Sequence, residues 1–107
     1  MKQTGLTAEQ LAMMTGVFRR YDMVRQVILY GSRAKGNFRP SSDVDLVLVG
    51  GRDELLAQRI AEELESLPLP YQFDVRWLDT VSHPPLLAHI HRVGILLYAL
   101  EETVGLG

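Results

Sequence analysis

Two short apolar runs constrain the fold more than any other feature of the sequence. Residues 27–30 end abruptly at Gly31 and Ser32, and residues 44–49 end at a pair of glycines. Apolar runs of this length, bounded by turn residues, are typical of buried β-strands. Amphipathic segments with helical spacing lie before the first of these runs and after the second, and no two-residue hairpin is present. The sequence therefore predicts an α/β fold, a small sheet with helices packed on it.

The remaining elements follow from periodicity and from helix-start signals. Thr7 and Gln10 form a capping-box pattern at the start of a helix. Prolines follow Ser82 and His83, where a later helix is expected to begin. The predicted elements are helices over residues 7–21, 53–67 and 82–92, strands over 27–30, 44–49 and 71–78, a loop over 33–42, and an edge strand over 95–99. No repeat or linker interrupts them, so we expect one domain spanning residues 1–107.

Composition excludes several classes of protein. The chain has 107 residues, no cysteine and a formal net charge of -2. A disulfide framework and a thiolate metal site are therefore excluded. The chain lacks the basic surplus of a non-specific nucleic-acid binder, so no direct nucleic-acid contact is expected. Neither a signal peptide nor an apolar run of about 18 residues is present, and we expect a cytoplasmic protein without a membrane span.

Three acidic residues mark a candidate metal site. Asp43 and Asp45 alternate along the second strand and so point to one face, about 6.6 Å apart. Asp74 lies in the third predicted strand between two apolar residues. Carboxylates in a sheet are costly unless they are paired or bound to metal. Oxygen ligands without cysteine or a histidine cluster favour Mg²⁺ or Mn²⁺ over Zn²⁺.

A candidate phosphate site precedes the acids. Gly31 and Ser32 end the first strand, where a helical turn is expected to start. A glycine allows a phosphate to approach the backbone, and the serine hydroxyl and free N–H groups can donate to it. The basic side chains of Arg33, Lys35 and Arg39 can neutralise further phosphate charge. Acids and a phosphate cradle on one edge of a sheet are typical of a nucleoside-triphosphate site.

These motifs resemble the signature of the DNA-polymerase-beta-like nucleotidyltransferase superfamily. In that signature a Gly-Ser pair precedes an Asp-x-Asp by ten residues, and a third acid lies on a later strand. Here Gly31-Ser32, Asp43-Val44-Asp45 and Asp74 match it. The short length and the C-terminal pattern over residues 89–98 resemble the minimal nucleotidyltransferase (MNT) subgroup. The resemblance implies the minimal nucleotidyltransferase fold with a small mixed sheet.

The resemblance also implies a chemistry. It implies two Mg²⁺ ions held by Asp43, Asp45 and Asp74, and ATP as the nucleotide substrate. One ion would lower the pKa of an attacking hydroxyl, and the other would stabilise the pyrophosphate leaving group. Asp74 would help to deprotonate the acceptor. The protein supplies positioning and charge rather than a covalent intermediate.

The acceptor and the partner also come from the resemblance. MNT proteins of this kind, the MntA-like antitoxins, neutralise helical HEPN ribonucleases encoded nearby and adenylylate a tyrosine on them. A hetero-oligomer with such a partner is therefore expected. Two alternatives stay open: a non-catalytic module that neutralises or complements a helical partner by contact, and a nucleotidyltransferase subunit whose small-molecule acceptor binds a separate helical subunit.

Plainer interpretations compete at individual residues. Asp43 and Asp45 could be a solvated strand start, and the basic residues could be a solvated loop. The three histidines lack the spacing of a helical metal pair and are expected at the surface or at an interface. These histidines are His83, His89 and His91. Trp77 and Phe73 alternate with Asp74 along the third strand, and they are expected in the core.

Overall fold

The fold is seen in a computed structural model that describes residues 4–101. The elements, in chain order, are α1 (Ala8–Phe18), β1 (Gln26–Tyr30), α2 (Gly31–Lys35), β2 (Val44–Val49), α3 (Glu54–Glu65), β3 (Phe73–Trp77), a 3₁₀ turn (Leu78–Thr80), α4 (Pro84–Val93) and β4 (Ile95–Ala99). Every predicted helix and strand is present, with ends that differ by a few residues.

The strands form one mixed sheet in the order β3-β2-β1-β4. β1 pairs antiparallel with both β2 and β4, whereas β2 and β3 are parallel. A parallel pair needs a crossover connection, and α3 provides it. The mixed sheet and the edge position of β4 agree with the prediction.

Local signals explain where the elements begin and end. Thr7 and Gln10 form the predicted capping box at the start of α1, with reciprocal side-chain to backbone bonds. α1 ends at Phe18 rather than at residue 21, and turns follow. The helical turn expected after β1 is the five-residue helix α2, which ends at Gly36 with φ 91°. A left-handed conformation of this kind favours glycine.

The two faces of the sheet are covered by different helices. The main core lies between one face and helices α1 and α3, and it includes Phe73 and Trp77 as predicted. A smaller apolar cluster lies on the opposite face, where Tyr30 and Val47 meet Ile90 of α4. Because side chains alternate along β2, its core residues and its acids lie on opposite faces. The acids share the face of α4.

No helix within residues 4–101 combines the length and the apolar character that crossing a membrane requires.

Candidate active site

The sheet brings two of the three predicted acids into direct register. Asp45 of β2 and Asp74 of β3 are paired across the parallel strands. Neighbouring strands lie about 4.8 Å apart, and register partners in a parallel pair point to the same face. Asp43 lies two residues before Asp45, just ahead of β2, and is exposed. The expectation that the three acids lie on neighbouring strands is met for Asp45 and Asp74, with Asp43 at the adjoining strand start.

The ionised form of Asp45 is disfavoured in this arrangement. Partial burial, together with the carboxylates of Asp74 and Asp43, raises the pKa of Asp45 from 3.8 to about 6. Each of these causes disfavours the ionised form. A cation placed among the carboxylates would relieve both repulsions.

Gly31 lies directly against Asp45. It has φ 76°, and a Cβ atom built there would lie 2.2 Å from Asp45 Oδ2. Any side chain at this position would therefore be strained by its backbone and would collide with the carboxylate. The contact places the Gly31-Ser32 turn next to the acids, as the sequence predicted.

Arg76 is a cation that sequence reasoning missed. Its Nη2 donates to Asp74 Oδ2 at 2.8 Å, and its charge also acts on Asp45. It further affects the buried Tyr30 hydroxyl, whose pKa burial raises to about 12. Arg76 follows Asp74 by two positions in β3, so strand alternation alone could have placed both on one face.

Asp74 already has a partner, because one of its carboxylate oxygens, Oδ2, accepts a hydrogen bond from Arg76. Within the part of the chain that the structure describes, no three Asp, Glu, His or Cys side chains are grouped closely enough to hold an ion as they stand. The donor chemistry of Asp43, Asp45 and Asp74 fits Mg²⁺.

Comparison with known proteins identifies the family. Residues 13–103 match the family model described as polymerase beta, nucleotidyltransferase. The chain belongs to the polymerase beta nucleotidyltransferase family. No curated protein matches its sequence.

Solved structures share the nucleotidyltransferase fold at low sequence identity. A crystal structure of a toxin-antitoxin with AMP-PNP aligns with a TM-score of 0.71 at 20% identity, covering 85% of this chain and 74% of that chain. A tri-AMPylated Shewanella oneidensis HEPN toxin in complex with MNT antitoxin aligns with a TM-score of 0.66 at 18% identity, covering 86% and 71%. A nucleotidyltransferase from Sulfolobus solfataricus, described as putative, aligns at 0.52 and 17%, covering 87% and 86%.

The side chain of Arg33 is buried, whereas the sequence analysis predicted that it contacts a phosphate. Its side chain is 1% exposed, and its guanidinium donates to the carbonyl oxygens of Ser42, Pro40 and Thr4 at 2.9–3.3 Å. Because those donors hold the loop together, Arg33 is not free to contact a phosphate. The aromatic rings of Phe38 and Tyr71 also pack against the guanidinium, with centroids 4.9 and 4.6 Å away.

The other two predicted basic residues are exposed. Lys35 lies in the last turn of α2, and Arg39 lies in the following loop. The backbone N–H of Arg39 donates to Ser42 Oγ at 2.8 Å, which fixes the loop but leaves the side chain at the surface.

His89 makes an internal contact that the sequence did not predict. His83 and His91 are exposed, but His89 is half-buried and its Nε2 accepts a hydrogen bond from the Gly31 N–H at 3.1 Å. The Gly31 N–H is therefore not free for a phosphate, and the Ser32 hydroxyl remains as the predicted donor. His89 shares the i, i+3, i+4 spacing of the buried stripe of α4, and this signal could have identified it.

A groove of about 560 Å³ adjoins Asp74 and Arg76. It runs along the outer edge of β3, between the first residues of α4 and one side of α3. The groove is open to solvent, and its walls carry charged and polar side chains, including Glu54 and Gln58, as well as apolar ones.

Proposed function

We propose that this protein is a Mg²⁺-dependent nucleotidyltransferase that transfers AMP from ATP to a hydroxyl group, most favourably a tyrosine, of a HEPN-type partner protein, and so acts as an antitoxin. The observation that carries the proposal is the register pairing of Asp45 with Asp74 beside Gly31. Two similar structures support it: one contains AMP-PNP, and the other contains an AMPylated HEPN toxin with an MNT antitoxin.

In this proposal the carboxylates of Asp43, Asp45 and Asp74 would hold the metal. Bound Mg²⁺ supplies positive charge that acidifies the attacking hydroxyl and stabilises the leaving group. Ser32, Lys35 and Arg39 orient the triphosphate.

The acceptor hydroxyl reaches the α-phosphorus from the groove beside β3. Asp74 lies on the wall of that groove, where it takes the hydroxyl proton. The oxygen forms the new bond to the α-phosphorus, the bond from that phosphorus to the bridging oxygen breaks, and pyrophosphate leaves. This chain provides positioning and charge, and the partner provides the nucleophile.

Intact mass spectrometry tests the enzymatic proposal. The protein is incubated with the product of the neighbouring gene, ATP and Mg²⁺, and the mass of that partner is measured. We expect one or more added AMP groups with the wild-type chain and with Asp22→Asn, an exposed acid outside the site. We expect none with Asp43→Asn or Asp45→Asn. An unmodified partner in all reactions would overturn the proposal.

A contact mechanism is the second candidate function. Similar structures are complexes of a toxin with its antitoxin, and docking alone could neutralise such a partner. Tight binding without a mass change, with full neutralisation of the partner by Asp43→Asn, would establish this mechanism instead.

A further inference from the structure

His89 links helix α4 to the turn that begins α2. Its Nε2 lies 3.1 Å from the Gly31 nitrogen, across 58 residues of sequence. The same imidazole meets the ring of Tyr30 edge-on, with centroids 6.2 Å apart and planes at 79°. His89 therefore contacts two consecutive residues at the junction between β1 and α2.

The direction of this hydrogen bond determines the state of the imidazole. The Gly31 N–H can only donate, so Nε2 carries no proton and the ring is the neutral Nδ1–H tautomer. Partial burial and the nearby charges of Arg92 and Lys35 lower the pKa of His89, which agrees with a neutral ring.

Gly31 is held from two sides. His89 accepts from its N–H, and the carboxylate of Asp45 lies against its Cα, where a Cβ atom would come within 2.2 Å of Oδ2. The left-handed φ of 76° at Gly31 sets the direction in which the chain leaves the strand and hence where Ser32 lies. A glycine in this conformation has the greatest backbone freedom of any residue, so an external contact is needed to fix it.

We propose that His89 is a positioning residue for nucleotide binding, which fixes the Gly31-Ser32 turn relative to Asp45 by accepting the Gly31 N–H. His89 does not touch the nucleotide. The effect on nucleotide binding rests on the proposed function, but the hydrogen bond and its effect on the turn can be tested without nucleotide.

Three variants separate the hydrogen bond from simple packing. His89→Leu removes the acceptor but keeps an apolar side chain, and His89→Gln places an amide oxygen near the position of Nε2. His91→Gln on the exposed side of the same helix is the matched control. Because an intramolecular hydrogen bond contributes about 1 kcal/mol, His89→Leu should bind Mg²⁺-ATP about fivefold more weakly by calorimetry. His89→Gln should recover most of the affinity, and His91→Gln should match the wild type.

Nuclear magnetic resonance tests the contact in the nucleotide-free protein. Long-range ¹H–¹⁵N spectra of the wild type should show an unprotonated Nε2 and a protonated Nδ1 for His89. The Gly31 amide proton should move upfield in His89→Leu and return toward its wild-type position in His89→Gln. If Nε2 is protonated, or if His89→Gln resembles His89→Leu in both readouts, the inference is wrong. If the spectra are as expected but the wild type binds no nucleotide, the proposed function fails while the contact stands.

Discussion

At the scale of single residues, the position of Asp45 is unfavourable for the stability of the folded protein. Asp45 is placed by strand alternation beside another carboxylate and against a glycine, where its charge is unfavourable in the absence of a cation. Arg76 compensates part of that charge through Asp74. Side chains that serve a ligand commonly reduce the stability of the unliganded protein in this way.

The raised pKa of Asp45 predicts how the stability of the metal-free protein depends on pH. Its pKa is about 6 in the folded protein and 3.8 as the ordinary value, so between these values the folded state binds more protons than the unfolded state. The free energy of unfolding contributed by this group therefore falls as pH rises from about 4 to 6 and is constant above that range. Asp45→Asn removes the dependence.

We expect Asp45→Asn to be more stable than the wild type by on the order of 1–3 kcal/mol at pH 7, and by much less at pH 4. Urea unfolding of both proteins in the presence of a chelator, across this pH range, measures the difference. The difference between the two proteins cancels the titration of other groups such as His89. A difference in unfolding free energy that does not depend on pH would show that the pKa of Asp45 is not raised.

Ser32 should contribute to nucleotide use without being essential. If its hydroxyl donates to a phosphate oxygen, Ser32→Ala removes one hydrogen bond to a charged group, and kcat/KM should fall about 10- to 150-fold. Gly31→Val should abolish activity because its side chain would collide with Asp45. Lys35→Ala should be mildest because that side chain is exposed. Steady-state kinetics with the partner and ATP checks the order, and a Ser32→Ala enzyme equal to the wild type would remove the turn from the nucleotide site.

At the scale of elements, the loop between α2 and β2 is organised around a buried cation. The guanidinium of Arg33 donates to the carbonyl oxygens of Pro40 and Ser42, near the end of the loop, and of Thr4 near the start of the described chain. This loop leads directly into Asp43. Arg33 therefore stabilises the segment that delivers the first acid to the site.

Arg33→Met should reduce stability rather than affinity for ATP. It leaves the part-buried carbonyl oxygens of Thr4 and Ser42 without their donor, and such a group costs about 1–3 kcal/mol when it is left unsatisfied, so we expect a loss of about 2–4 kcal/mol. The exposed Arg39→Met is the matched control and should change stability by less than about 0.5 kcal/mol. Thermal unfolding measures both. A stable Arg33→Met protein with a raised KM for ATP would support the original phosphate role instead.

At the scale of the whole molecule, the proposed metal site shares Asp74 with an internal ion pair. If Asp74 binds the metal with the oxygen that Arg76 now holds, part of the binding free energy is used to break that contact. Arg76→Gln removes the competitor, so Mn²⁺ or Mg²⁺ alone should raise the melting temperature more in this variant than in the wild type. Arg52→Gln, an exposed arginine in another loop, should behave like the wild type. Equal shifts in all three proteins would show that Arg76 does not compete with the metal.

The order of the elements and the face of the acids could be predicted from the sequence. Strand alternation, helical spacing and the Thr7 capping box are local patterns, and each depends on residues a few positions apart. The same alternation of side chains predicted that Asp43 and Asp45 share one face and that Phe73 and Trp77 lie in the core. The ends of α1 and β3 were less accurate, because turns and the 3₁₀ helix compete with the regular elements there.

The roles of Arg33, His89 and Arg76 were decided by tertiary structure. A basic residue in a glycine-rich loop looks the same in sequence whether it faces solvent or, like Arg33, reaches a carbonyl 29 residues away. His89 reaches Gly31 only because α4 packs on the face that carries the acids. Sequence alone determined which chemical groups are available and on which side of each strand they lie, because those patterns are local. The packing of helices on the sheet determined which groups are already engaged, since burial and long-range hydrogen bonds exist only in the folded chain.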